Sequence, residues 1–142
     1  MADIQFPNQL LNGSFSAAVL DNNGVPTNVL EAAQPFTITT SWKVSALAAL
    51  LLGGEWRVSA YVESIGPGPE QQVGPTETVL LNGGTNYAVN IVVPANTLPD
   101  LDPAGNPAVS GAYKIVTLLA HRNFGKFSDV SAIVEGPILR IG

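Results

Sequence analysis

Phe36-Thr37-Ile38-Thr39-Thr40-Ser41-Trp42-Lys43-Val44 alternates without a break. Phe36, Ile38, Thr40, Trp42 and Val44 fall to one side; Thr37, Thr39, Ser41 and Lys43 fall to the other. Successive side chains of a strand point to opposite faces, so this pattern predicts a strand with one face in a core and one toward water. Its β-branched and aromatic residues suit a pleated, half-buried surface.

The same period extends in both directions. Upstream, Phe15, Ala17 and Val19 share a face within Ser14–Leu20, and Asp21-Asn22-Asn23-Gly24 follows as a turn, since Asn and Gly tolerate positive φ at low cost. Downstream, Glu55–Glu63 places Trp56, Val58, Ala60 and Val62 inward, and Glu55, Arg57, Ser59, Tyr61 and Glu63 outward. Further strands are expected over Thr76–Leu81, Asn86–Val93, Ala112–Ala120 and Asp129–Ile141, the last interrupted at Gly136-Pro137 by a bulge or sheet switch. Ala46–Leu52 is the one helix-like stretch, read as a helical turn across one end or as an extension of the preceding strand. About seven strands separated by turn residues, with no helical crossovers, predict an all-β, two-sheet antiparallel sandwich. One domain is expected over residues 1–142, with residues 1–13 as an N-terminal arm.

The run Phe36–Trp42 resembles the second strand of fibronectin type III-like and related immunoglobulin-like domains. Gly111-Ala112-Tyr113-Lys114-Ile115 resembles the start of their penultimate strand. The resemblance implies an immunoglobulin-like sandwich, with Tyr113 as a tyrosine corner and Ile115 where antibody domains place a cysteine. It implies no activity, because this fold hosts many unrelated roles.

Composition narrows the function. Charged residues are only 12% of the chain, about half the usual ~25%, and a charge-poor surface is more often one that is covered. The net charge of −5 opposes binding to phosphate backbones, so no nucleic-acid partner is expected. Residues 1–110 hold nine acids against two bases and residues 111–142 two acids against four bases, an asymmetry of the sign that head-to-tail association needs, though six bases are too few to carry that claim. There is no cysteine, hence no disulfide or thiolate chemistry. Neither a signal peptide nor a membrane-length apolar run is present, so a cytoplasmic protein is expected, as part of a particle or exported without a leader if it leaves the cell.

Catalytic motifs are absent. His121 is the sole histidine and no serine stands in a nucleophile elbow, so His121 reads as a solvated strand-end residue and no enzyme is expected. Glu55 and Glu63 share a face but stand ~26 Å apart along an extended strand, too far to act as a pair. Asp100 and Asp102 are the metal candidates, yet Ala104 and Gly111 stand where a calcium loop needs oxygen ligands, and a solvated connection is the simpler reading. Ile65-Gly66-Pro67-Gly68-Pro69-Glu70 reads as a stiff protruding loop able to contact a partner. No cofactor is expected.

Ala112–Ala120 has two apolar faces, with Val116 and Leu118 opposite Tyr113, Ile115, Thr117 and Leu119. An outer face in a two-layer sandwich meets water, so Val116 and Leu118 need a cover. Segment Ala46–Leu52, the N-terminal arm or a partner chain can supply it, and Tyr61 and Ile133 lie alongside. The expectation is a non-catalytic structural or protein-interaction domain that forms a homo-oligomer or joins other protein subunits through Tyr61, Val116, Leu118 and Ile133. The alternative is a ligand-binding accessory module, for example for carbohydrate; Trp42 and Trp56, both on apolar faces, read as core and not as binding residues.

Overall fold

A computed structural model describes residues 1–66, 70–99 and 111–142. These form two sheets facing each other. The first holds β1 (Ala2–Asp3), β2 (Gly13–Leu20), β4 (Phe36–Val44) and β7 (Asn86–Val93), in the order β1-β2-β4-β7. The second holds β3 (Val29–Leu30), β5 (Glu55–Ser64), β6 (Gln71–Leu80), β8 (Ala112–Asn123) and β9 (Lys126–Ile141), in the order β3-β9-β8-β5-β6. The all-β two-sheet sandwich expected from the sequence is therefore present.

Two details differ from the expectation. Among the described residues there are nine strands, because the two-residue strands β1 and β3 pair with the edges of longer neighbours. The sheets are also not wholly antiparallel, since Val29 and Leu30 run parallel to Arg140 and Ile141 of β9. The N-terminal arm is tied to both sheets: Ala2 and Asp3 pair with Phe15 and Ser14 of β2, and Gln5 bridges to Ser131 of β9. It closes one open edge of the sandwich.

β4 alternates buried and open residues along its length, with Phe36, Ile38, Thr40, Trp42 and Val44 inside. β5 faces it with Trp56, Val58, Ala60 and Val62. Trp42 stacks on Tyr87 at 5.7 Å between ring centroids, while Phe15 and Trp56 each meet it edge-on at 6.1 Å. The one buried threonine of β4, Thr40, donates its hydroxyl to the Val89 carbonyl at 2.6 Å, which satisfies a polar group that burial would otherwise penalise.

The Gly136-Pro137 interruption is a bulge, and β9 stays in one sheet throughout. Lys114 faces Ile138 and Val116 faces Glu135, leaving two residues of β9 opposite Ile115 alone. Ala46–Leu51 forms the short helix α1, crossing one end of the sandwich. Ser45 caps it, its side chain accepting from Ala48 N.

Candidate functional site

The outer face of the five-stranded sheet gathers the residues expected to need a cover. Tyr61 of β5 lies directly opposite Val116 of β8, and Leu118 of β8 lies directly opposite Ile133 of β9. Directly paired residues share a face, so the four form one apolar strip across three strands. Tyr61 is 37% and Ile133 48% exposed, Leu118 is half-buried, and Val116 is only 7% exposed. Val116 lies between Tyr61 and Glu135 in the register.

Neither intrachain candidate lies over the strip. α1 sits at the sandwich end, where Leu47, Leu50 and Leu51 are themselves exposed. The arm runs along the β9 edge and flanks the strip: Ala2, Asp3 and Gln5 border a concavity of about 360 Å³ together with Leu118 and Ile133. On the other side, Tyr61, Val116, Leu118 and Ile133 share a shallow groove of about 480 Å³ with Glu63, Glu70, Gln71 and Gln72. Its rim is charged. Lys114 donates to Glu63 at 3.1 Å, and this hydrogen bond, followed by the charges of Glu63 and Glu135, pushes the Lys114 amine above its ordinary pKa.

His121 is a correction. It is buried, not solvated, and both ring nitrogens are engaged: Nε2 lies 2.7 Å from the Gly53 carbonyl oxygen and Nδ1 2.7 Å from Ser128 Oγ. The carbonyl can only accept, so Nε2 carries the proton, and in the neutral ring Nδ1 accepts from the Ser128 hydroxyl. Ser128 Oγ also accepts from Val130 N at 3.2 Å. The Trp56 ring meets the imidazole edge-on at 5.3 Å. Position in the chain put His121 at a strand end; only the return of the Gly53-Gly54 turn onto β8 makes that end interior.

The other expected sites separate. Glu55 pairs with Arg57 at one end of β5, and Glu63 pairs with Lys114 at the other. The Asp21 side chain accepts from Asn23 N at 2.8 Å and Val25 N at 2.9 Å, and Gly24 takes φ +77°, so Asp21–Gly24 is the turn its sequence predicts. Asp100, Asp102 and residues 67–69 of the Ile65–Glu70 segment lie outside the described residues. Among the described residues no group of three or more His, Cys, Asp or Glu side chains could hold a metal ion. No helix among them is long and apolar enough to cross a membrane. Trp42 and Trp56 are both in the core, so neither is available to a ligand at the surface.

Sequence reasoning did not single out the apolar loops around α1. Leu10, Leu50, Leu51 and Phe124 are all exposed there. The signal was the run Leu50-Leu51-Leu52 followed by Gly53-Gly54, three leucines in a segment too short to bury them all.

No protein-family model matches the sequence, and no curated protein matches it. Solved structures do share its fold. A β-glucosidase from Listeria innocua, crystallised with glucose, superposes on 92% of this chain with a TM-score of 0.51 and 12% identity. A β-glucosidase from Erythrobacter marinus gives the same values. The match occupies 16% of each of those chains. At 12% identity the likeness concerns the fold alone.

Proposed function

We propose that this chain is a non-catalytic interaction domain that associates with copies of itself or with other subunits through the outer face of the five-stranded sheet. The observation that carries the reading is the strip of two cross-strand pairs, Tyr61–Val116 and Leu118–Ile133, in which Tyr61 and Ile133 stay exposed among the described residues. A low charge content supports it, because few charges compete with burial of that face. The glucosidases carry this fold as a small part of a long chain, as a sandwich that works beside other domains would be carried. We also assign the sandwich to the immunoglobulin-like superfold. Tyr113 supports this by donating its buried hydroxyl to the Pro99 carbonyl at 3.0 Å, a bond back to the upstream backbone of the kind a tyrosine corner makes, and Ile115 by lying in the core.

The test is absolute mass by light scattering after size exclusion over a hundredfold concentration range. The wild-type chain is expected to exceed its 14.8 kDa monomer mass as concentration rises, and Ile133→Glu to return it toward the monomer. Ile133 is the right position because, unlike Val116, it is exposed in the isolated chain. A strict monomer at every concentration removes self-association and leaves other subunits as partners.

One observation favours a second reading, a carbohydrate-binding accessory module: exposed Tyr61 stands in a groove with Glu63, Glu70, Gln71 and Gln72, an aromatic surface beside polar side chains. Titration of soluble glucans followed by NMR checks it. Saturable shifts centred on Tyr61, lost in Tyr61→Ala, support this reading over the first.

A further inference from the structure

The end of the sandwich that carries α1 is an apolar tip. Its loops, residues 6–12, 45–54, 81–85 and 124–125, contain no acidic residue. Asn12 N donates to Ser45 Oγ at one end of α1, and the Gly53 carbonyl meets His121 at the other. These contacts place the loop bearing Leu10, the helix bearing Leu47, Leu50 and Leu51, and the β8–β9 hairpin bearing Phe124 side by side.

Phe124 is the informative residue. It is 96% exposed and takes φ +51°, followed by Gly125 at φ +75°. A two-residue hairpin with positive φ at both positions favours Asn-Gly, and a bulky side chain there is strained. Among the described residues the aromatic ring adds nothing to its own core, which leaves it free to contact another molecule. Lys126 follows directly, and Arg122, which donates to the Gly125 carbonyl at 3.0 Å, precedes it.

The opposite end has the complementary form. Asp21, Asn22, Asn23, Glu31 and Gln34, with Val29, Leu30 and Pro35, line an open concavity of about 280 Å³ that has no basic residue among its described walls.

We infer that copies of this chain stack head to tail, the Phe124 hairpin of one seated in the Asp21–Glu31 concavity of the next, with Arg122 and Lys126 facing the two carboxylates. The inference rests on the self-association reading above and adds a second, longitudinal contact. Such a contact joins two different surfaces, so it propagates into a ring or filament and does not stop at a dimer.

The experiment is the same mass measurement on five proteins: wild type, Phe124→Asn, Lys126→Glu, the Lys126→Glu/Glu31→Lys double variant, and Ile133→Glu. Asn suits the positive φ, so Phe124→Asn keeps the hairpin. Phe124→Asn and Lys126→Glu are each expected to raise the concentration for half-assembly about tenfold or more. The charge swap is expected to restore it, and added salt to weaken wild-type assembly. Assembly lowered by Ile133→Glu but untouched by Phe124→Asn and Lys126→Glu overturns the head-to-tail contact while leaving the outer-face reading intact. A monomer under all conditions overturns both. Sedimentation with phosphatidylserine–phosphatidylcholine vesicles, lost in Phe124→Asn, overturns the inference by assigning the tip to a bilayer.

Discussion

His121 Nε2 donates to the Gly53 carbonyl across 2.7 Å, joining the turn after α1 to the far end of β8. The bond spans 68 residues of sequence and is one of a pair, since Nδ1 holds Ser128 in the opposite direction. The imidazole thereby fixes the loop that presents Leu50 and Leu51 and the strand that follows the Phe124 hairpin. His121→Ala removes both bonds and leaves a cavity beside Trp56. A loss of about 2–4 kcal/mol is expected, measured as a lower urea midpoint at unchanged m-value. An unchanged midpoint would mean the two bonds contribute nothing net.

Gly74 lies within β6, beside the register shift between Val73 and Glu77, and close against β7 of the facing sheet. A Cβ there would stand 2.6 Å from Ile91 Cγ2 and 3.1 Å from the Val92 carbonyl oxygen, and the residue takes φ +69°. Gly83 also takes positive φ, +81°, but a Cβ there meets nothing within 4 Å. Gly83→Ala is therefore expected to cost about 1 kcal/mol of backbone strain alone, and Gly74→Ala clearly more, about 2–4 kcal/mol. Equal losses in thermal unfolding would show that the contact with Ile91 relaxes freely.

How far the fold could be read depended on the range of the interactions. β4 and β5 were legible because alternation is a local signal, and Trp42 and Trp56 went inside as their faces required. The outer-face strip was legible for the same reason: a strand with two apolar faces announces itself. β1 and β3 were not, because two residues carry no period and exist as strands only through pairing with Phe15 and Arg140 far along the chain. His121 failed similarly, since a strand end is exposed only if no loop returns to it, and Gly53 does. The Phe124 hairpin was hidden by composition, because Asn123-Phe124-Gly125 reads as an ordinary turn until its exposure and φ are known.

Lys114 offers a test of the rim of the candidate surface. Its pKa is raised first by the hydrogen bond it donates to Glu63 and then by the charges of Glu63 and Glu135. A base whose folded pKa lies above its unfolded value adds stability that is fully present below the unfolded value of ~10.4 and is lost as pH rises through the folded one. Glu63→Gln is expected to bring the Lys114 titration back toward its ordinary range, followed by NMR of the side-chain ε-carbon. Stability near neutral pH should barely move, because both groups are at the surface. No change in the titration would place the carboxylate away from the amine in solution.

Trp42 and Tyr87 are stacked with 16° between their planes and face each other across the β4–β7 register, where aromatic pairs contribute beyond their buried area. The Tyr87 hydroxyl accepts from Asn82 N at 3.4 Å, which anchors the β6–β7 loop to the same ring. Replacing Trp42 by Leu creates a cavity at the meeting point of Phe15, Trp56 and Tyr87, and a loss of about 3–5 kcal/mol is expected. Replacing Tyr87 by Leu removes the stack and the loop anchor together, and about 2–4 kcal/mol is expected. The two are in contact, so their losses should not add: a double-mutant cycle in urea is expected to give a coupling of about 0.5–1.5 kcal/mol. A coupling indistinguishable from zero would mean that the two rings contribute area alone, and that their parallel arrangement follows from the strand register without stabilising it.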